Sequence, residues 1–490
     1  MPASSLEPGW LSAAAAVALL GSAALAIREG RTGRAWHSAS YAYLACSAAA
    51  VGLWDAVFRS TGHATLDVLR SGPISNLRVT LVCTLLAWLT LGSLLVQLRR
   101  AGRSLDRLLF VGALHALALL YLNVMRERTE YGDFFDFAGA AWNLAHGQAL
   151  HPRYLYPPLF ATLLQPLASA DQQTMFVVCF VANFGSLVLF FALLQRTLLR
   201  YGFSHRAATL ATFAMLVVNV AVLRTLFYVQ TNFHVANLAL LSLLLYPVQP
   251  WLSAIALGVA AHLKTSPLVL VLPFVFARDW KWLAWFAAAA LGIVALTSYA
   301  NGFVHYSEYL SNVAHIYRAN PIEYRENSID SFLRATSVLL GHDPAAMRIP
   351  TLVTRALVLV ALLWLWRLAV RRRAFSAGRG GAEAVALDSY PVLLLLMMSV
   401  SPLVWEHHPV LIVPTFLVLL GKLEDATDAV LWLLAWFLVL ATPTFDLYPF
   451  SYHLLAGEAL IAWLLVRAAR RGPGRGRFVQ RAEHSLAAMG

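Results

Sequence analysis

The sequence predicts an all-α, polytopic membrane protein. Of its 490 residues, 59% are hydrophobic and only 13% are charged, which is far more apolar than a soluble chain of this length. Apolar runs close to the ~20 residues that cross a ~30 Å hydrocarbon core recur along almost the whole chain. Together with shorter runs they indicate about 13 to 15 transmembrane helices.

The apolar runs differ in length, and the shorter ones are broken by polar residues. The longest cover residues 10–27, 39–58, 79–98, 105–124, 174–194, 207–227, 282–299 and 351–366. Shorter or broken runs cover residues 233–246, 251–263, 267–276, 391–400, 410–420, 429–441 and 454–466. The first run has no basic leader or obvious small-residue cleavage site, so we interpret it as a span rather than a signal peptide.

The distribution of basic residues orients the chain. When the runs are threaded in order from an outer N-terminus, most Lys and Arg residues fall in inner loops and the outer side carries net negative charge, as the positive-inside rule requires. The formal charge of +12 is therefore a topology signal and does not indicate nucleic-acid binding.

The three cysteines, Cys46, Cys83 and Cys179, lie in predicted spans and form no disulfide or metal-binding pattern.

This threading divides the chain into three parts. Residues 1–104 form additional N-terminal transmembrane helices, and residues 105–466 form a transmembrane module with long outer loops at 126–173 and 301–350. Residues 467–490 form a basic cytoplasmic tail that is expected to contact anionic lipid headgroups.

Polar residues gather at the outer ends of the predicted spans. Because a polar group at membrane depth is costly, each is a functional candidate. Besides Asp133 and Asp136, they include Tyr228, Gln230, Asn232, His234, Lys264, Trp405, Glu406, His407, His408, Asp446 and His453.

The first outer loop begins with two carboxylates. Residues Asp133 to Ala149 predict a short amphipathic helix that ends at Gly147, and Tyr156-Pro157-Pro158 predicts the start of a second helix. Asp133 and Asp136 are three positions apart, so they share a helical face at its N-terminal end. They are candidates for chemistry, although carboxylates at this position can also serve as helix caps.

Seven short motifs occur in a fixed order along the chain. They are an Asp after a span, the helix Ala138 to Gly147, Tyr156-Pro-Pro-Leu159, Gln230-Thr-Asn232, Lys264-x-x-Pro267, Asn327-Ser328 with Arg334 beyond, and Ser401-Pro-x-x-Trp405-x-His407-His408. In this order the chain resembles the polyprenol-phosphate-dependent mannosyltransferases of glycosyltransferase family 87, within the GT-C fold superfamily, over roughly residues 105 to 465. It departs from the family pattern at Val229, where glycine is usual, and at Glu326-Asn327-Ser328, where Asn-Gln-Ser is common.

The resemblance implies a membrane glycosyltransferase with the GT-C fold, in which the outward-facing loops are expected to carry short interfacial helices. Such an enzyme moves a sugar, here expected to be mannose, from a polyprenyl-phosphate donor to a hydroxyl of a cell-envelope glycolipid or glycan, usually with inversion. The reaction would take place on the extracytoplasmic face of a bacterial inner membrane. It needs a general base for the acceptor proton, positive charge or donors for the leaving phosphate, and an apolar groove for the prenyl chain.

The resemblance and the residue chemistry together assign the roles. Asp133 is expected to be the base, and Asp136 an orienting partner or acceptor contact. Lys264, His407 and His408 are expected to bind the donor phosphate, although Lys264 could instead extend to the headgroups. Two adjacent histidines on a helix point to different faces, so one of the pair is expected to face the site.

Further polar side chains are candidates for the phosphate or the sugars. Arg325 and Arg334 in the second outer loop could reach the donor phosphate, although exposed loop arginines are usually solvated. The candidates for sugar and acceptor binding are Tyr156, Gln230, Asn232, Asn327, Trp405 and Glu406. Asn232 could equally cap a helix, and the aromatic residues could belong to an interfacial belt.

No cofactor is expected. Some GT-C enzymes use a divalent cation, but two carboxylates with a histidine make a thin ligand set for such a hard ion, so metal-independent transfer is favoured. The expected partners are the donor, the acceptor and membrane lipids. A lipid or sugar transporter, an O-antigen-ligase-like enzyme and a non-catalytic assembly partner remain alternatives; transporters usually show an internal repeat, and we find none.

Overall fold

The computed structural model describes residues 133–217, 219–319, 326–376, 380–442, 444, 448–474 and 476, with a few helical positions between 17 and 28. The predicted spans at 39–58, 79–98 and 105–124, and the tail beyond 476, lie outside the described residues. Arg325 and Asp446 lie outside them as well.

The described part of the chain is helical, as predicted. In the first half, α1 is Phe134–Ala145, α2 Pro158–Leu164, α3 Gln172–Arg200, α4 His205–Val217, α5 Val220–Phe227, α6 Asn232–Leu245, α7 Pro250–Leu263 and α8 Leu272–Phe276. In the second half, α9 is Trp280–Asn301, α10 Val304–Ala319, α11 Ile329–Leu339, α12 Arg348–Arg372, α13 Gly381–Ser399, α14 Val413–Leu420, α15 Ala426–Trp436 and α16 His453–Arg471. A short bridge between Glu326 and Trp405 is the β-type pairing found within the described residues.

Five helices of the described part are long and apolar enough to cross a membrane. They are Gln172–Arg200, Trp280–Asn301, Pro344–Arg372, Gly381–Ser399 and Phe450–Arg471, of which the third and the fifth include a short 3-10 helix that precedes α12 and α16. Shorter apolar helices, among them α6 and α7, pack between them. The chain is therefore a multi-pass, all-α membrane protein.

The apolar run at 207–227 was predicted as one unbroken span, but it forms two helices, α4 and α5. Helices α4 and α5 meet at 62°. Asn219 lies at the junction with an extended backbone, and its side chain accepts a hydrogen bond from the Val222 N–H at 3.0 Å. A side-chain cap at this position starts a new helix, so the apolar run does not continue straight.

The two loops that are predicted to lie outside carry short helices, and α1 and α10 among them border the site. The first outer loop forms α1 and α2, as predicted, and the chain reverses after α1 at Gly147, whose φ of 63° suits a residue without a Cβ. The second outer loop forms α10 and α11; short interfacial helices were predicted for the outward-facing loops, but the bounds of these two were not. The larger of the two apolar clusters among the described residues runs through α1, α3, α6, α7 and α13.

Candidate functional site

The outer loops and several helix ends enclose a cavity of about 590 Å³. Its polar lining contains two acids, cations, histidines and aromatic groups, while its apolar lining comes mainly from α10, α13 and the residues that follow α13. The polar lining includes Asp133, Asp136, Arg153, Tyr156, Gln230, Lys264, Tyr309, Trp405, His407 and His408. Eight of the residues proposed from sequence therefore share one cavity.

Asp133 lies immediately before α1 and faces the cavity. Its side chain makes no capping hydrogen bond to the helix. Instead, the Gln230 Nε2 donates a hydrogen bond to Asp133 Oδ2, and the Tyr156 hydroxyl donates to Gln230 Oε1 at 2.8 Å. Gln230 is only 1% exposed, so these hydrogen bonds hold one carboxylate oxygen of Asp133, a residue of the cavity lining, in place.

Burial raises the pKa of Asp133 from its ordinary value of 3.8 to about 6. The neighbouring Asp136 carboxylate contributes to this rise, the Gln230 hydrogen bond and the charges of Arg153 and Lys264 oppose it, and a pKa of about 6 is the net result. A carboxylate with a pKa near 6 is mostly ionised at neutral pH and is a better proton acceptor than an ordinary aspartate.

Asp136 is held by basic groups that follow the reversal at Gly147. Its Oδ1 lies 3.1 Å from Arg153 Nε and 3.4 Å from His151 Nδ1. Burial raises the pKa of Asp136, and Arg153 opposes that shift. Arg153 lines the cavity with 69% of its side chain exposed, and the sequence analysis missed it. The available signal was the turn at Gly147, which brings the following residues back beside α1.

Lys264 ends α7 where the backbone becomes extended, just before Pro267. Its Nζ donates a hydrogen bond to Asn232 Oδ1 at 3.0 Å and lies 5.9 Å from the centre of the Tyr156 ring. Asn232 is fully buried and does not line the cavity; its Nδ2 donates to the His407 carbonyl oxygen at 3.1 Å. Asn232 therefore orients the ammonium group of Lys264.

Both histidines line the cavity, contrary to the expectation that only one would. The reason is that residues 404–408 form a tight turn before a 3-10 helix, so helical spacing does not apply. The His408 N–H donates to the Trp405 carbonyl at 2.8 Å, and the Trp405 N–H donates to His408 Nδ1 at 3.1 Å. His407 Nδ1 is buried, and within the described residues it neither donates nor accepts a hydrogen bond.

Three other candidates lie away from the cavity lining. Glu406 Oε1 lies 2.7 Å from Arg224 Nε with both side chains about 5% exposed or less, and its Oε2 accepts a hydrogen bond from Thr444 at 2.7 Å. Asn327 is fully buried, and its N–H donates to the Val404 carbonyl at 2.7 Å. Arg334 lies on α11 outside the lining.

A metal site would need a cluster of ligating side chains. Over the residues with described positions, no group of three or more His, Cys, Asp or Glu residues could hold an ion. Metal independence stays a prediction.

Comparison with known proteins gives two matches. The model of glycosyltransferase family 87 matches residues 154–402. A protein of Mycolicibacterium smegmatis (strain ATCC 700084 / mc(2)155), named polyprenol-phosphate-mannose-dependent alpha-(1-2)-phosphatidylinositol pentamannoside mannosyltransferase, is 26% identical over 374 residues. The alignment covers 70% of this chain and 85% of that protein. No solved structure matches significantly. The family match contains Tyr156, Gln230 and Lys264, whereas Asp133 precedes it.

Proposed function

Because the chain belongs to glycosyltransferase family 87, we propose that this membrane glycosyltransferase transfers mannose from a polyprenyl-phosphate carrier to a hydroxyl group of a cell-envelope glycolipid or glycan. The transfer takes place on the extracytoplasmic face of a bacterial inner membrane and inverts the anomeric carbon. The observation that carries this proposal is one cavity that brings together a carboxylate with a raised pKa, a lysine, two histidines and an apolar wall.

Asp133 is the general base of the proposed reaction. As the acceptor oxygen attacks the anomeric carbon, its proton passes to the carboxylate oxygen that Gln230 does not occupy. The bond between the anomeric carbon and the phosphate oxygen breaks, and the electron pair leaves with the prenyl phosphate. Asp136 and Arg153, paired beside this carboxylate, contact the acceptor at the cavity opening.

Lys264 and the two histidines bind the leaving phosphate. The ammonium group is already oriented by Asn232, so little reorganisation is needed when negative charge develops on the phosphate. His407 offers a buried ring nitrogen without a hydrogen-bond partner in the described chain. Tyr156 and Trp405 line the same cavity and contact the mannose ring.

The apolar wall holds the first isoprene units of the carrier. It contains Leu359 of α12 and Leu396 to Met398 of α13, close to Lys264 in the same cavity. A lipid phosphate beside Lys264 would therefore place its chain on an apolar surface. The named activity of the mycolicibacterial relative supports mannose as the transferred sugar and a glycolipid as the acceptor.

Purified protein in liposomes, incubated with a panel of labelled prenyl-phospho-sugars and envelope glycolipids, tests this function. We expect label from prenyl-phospho-mannose to appear in a glycolipid product with an inverted linkage, as determined by NMR. Movement of carrier across the bilayer without product would favour the transporter alternative and contradict the proposal.

The sidedness is tested separately with two exposed positions. An impermeant maleimide added to intact spheroplasts should label Ala149→Cys in the first outer loop and leave Arg371→Cys, at the end of α12, unlabelled. The reverse pattern would place the cavity on the cytoplasmic side.

A further inference from the structure

Residues 401–408, which we call the cavity-wall loop, are held by the second outer loop. Most of these residues line the cavity, including Trp405 and both histidines. The loop follows α13 and has no regular helix until His408, so its own backbone does not fix its position. One of its anchors is the segment just before α11, and the Glu406–Arg224 ion pair is another.

Glu326 provides the first of these anchors with a fully buried carboxyl group. Its Oε1 accepts hydrogen bonds from the Val404 N–H at 2.7 Å and the Ser328 N–H at 3.1 Å. Its Oε2 accepts from the Ser328 hydroxyl at 2.9 Å. The adjacent Asn327 N–H donates to the Val404 carbonyl at 2.7 Å, which completes the bridge between Glu326 and Trp405.

The anchor is connected by contacts to the proposed phosphate site. Beyond Val404, the turn from Trp405 to His408 is closed by two hydrogen bonds. The His407 carbonyl then accepts from Asn232, which in turn accepts from Lys264. A shift of the cavity-wall loop would therefore move both the histidines and the group that orients Lys264.

We propose that Glu326 is a positioning residue of the transfer reaction, which holds the cavity-wall loop so that Lys264 and the histidines meet the donor phosphate. The inference rests on the proposed function and adds a residue outside the cavity. Glu326 does not touch the substrates; it acts through Val404 and the loop.

Hydrogen bonding, rather than charge, gives Glu326 this role. No cation of the described chain lies within ion-pair distance of its carboxyl group. Burial raises the pKa of Glu326 to about 8, so the group is mostly neutral at physiological pH. A glutamine can reproduce this arrangement, since its oxygen accepts from Val404 and Ser328 and its amide donates to the Ser328 hydroxyl oxygen.

Three substitutions at this position test the proposal by separate measurement of the donor and acceptor constants. Glu326→Ala should raise the donor KM about tenfold, with the acceptor KM little changed, because the loop loses its buried acceptor. Glu326→Gln should stay close to wild type. Glu326→Asp keeps the carboxyl group but withdraws it from Val404, so its kinetic constants should resemble those of Glu326→Ala. If Glu326→Ala does not fold, Glu326→Asp takes its place in the test.

Asp343→Ala is the matched control. Asp343 also accepts a hydrogen bond from a backbone amide in the second outer loop, but it lies outside the cavity and the cavity-wall loop. Its loss should leave both constants unchanged. A general loss of stability would instead reduce the fraction of folded enzyme, which lowers the apparent kcat and leaves both KM values unchanged.

Two results would overturn the proposal. The first is an unchanged donor KM in Glu326→Ala. The second is a Glu326→Gln variant as impaired as Glu326→Ala, which would indicate a charge or proton-transfer role.

Binding of prenyl phosphate provides a second measurement that needs no turnover. We expect its dissociation constant to be about tenfold larger in Glu326→Ala. If the wild type binds prenyl phosphate but transfers no sugar, the proposed function is contradicted. The comparison of prenyl-phosphate binding between wild type and Glu326→Ala would still decide the role of Glu326.

Discussion

The acid limb of the pH–rate profile should report the ionisation of Asp133. The pKa of this carboxyl is raised above its ordinary value, mainly by burial, to about 6. Because a general base acts in its deprotonated form, the transfer rate should rise with pH through 6 and level off above 7. For a single group with this pKa, only about one molecule in eleven is in the active form at pH 5, so the rate should be about tenfold below the plateau.

Substitution of the neighbours of Asp133 should shift this acid limb of the pH–rate profile in predictable directions. Asp136→Asn removes a like charge, so the pKa of Asp133 should fall and the limb should shift to lower pH. Gln230→Leu removes a hydrogen bond that stabilises the carboxylate, so the limb should shift to higher pH. Opposite shifts in two variants would be difficult to explain by a general loss of stability.

The assay is the initial rate of mannose transfer in liposomes between pH 4.5 and 8 at saturating acceptor. The donor is a phosphodiester that stays ionised over this range, so its own titration does not contribute. Thermal unfolding at each pH shows whether the fold is retained. A rate independent of pH down to 5, or a shift of the Asp136→Asn limb to higher pH, would refute this reasoning.

Three further predictions concern the surroundings of the site. Lys264→Met keeps the apolar stem but removes the charge, so the donor KM should rise more than about tenfold while the acceptor KM stays unchanged in the same transfer assay. Val229 is 4% exposed and has a φ of 51°, so in thermal unfolding Val229→Gly should be more stable than Val229→Ala by about 1 kcal/mol, despite its smaller side chain. Arg224→Met leaves Glu406 buried without its ion-pair partner and should destabilise the fold by about 3–5 kcal/mol, with part of the loss restored by adding Glu406→Gln.

Each of these predictions has a result that contradicts it. A normal donor KM in Lys264→Met would remove that residue from the phosphate site. Equal stability of the two Val229 variants would show that the backbone there carries no strain. A stable Arg224→Met variant would mean that the buried ion pair has little structural importance.

Hydrophobic patterning predicted the helices well because each apolar run must be buried in lipid or protein. The run at 174–194 lies within α3, and the amphipathic pattern after Asp133 forms α1 with Phe134 and Phe137 buried. The turn at Gly147 was also predicted from a local signal. Membership of glycosyltransferase family 87, inferred from ordered motifs, is confirmed by the match over 154–402.

Contacts between distant segments could not be predicted in the same way. The Gln230 side chain bonds Asp133 across 97 positions, so sequence reasoning assigned it to the sugar rather than to the carboxylate. Glu406 was selected because it adjoins the histidines, yet it points to Arg224. Glu326 was noted only as a departure from a motif, because its partner Val404 lies 78 positions away.

The most direct test of the central claim compares Asp133→Asn with wild type in liposomes supplied with prenyl-phospho-mannose and acceptor. We expect a loss of turnover of about 10²- to 10⁴-fold, with unchanged thermal unfolding and carrier binding, because asparagine cannot take the acceptor proton. Asp171→Asn, a substitution at an exposed helix cap where asparagine is equally suitable, is the control and should transfer at the wild-type rate. Near-normal turnover in Asp133→Asn would contradict the assignment of the base.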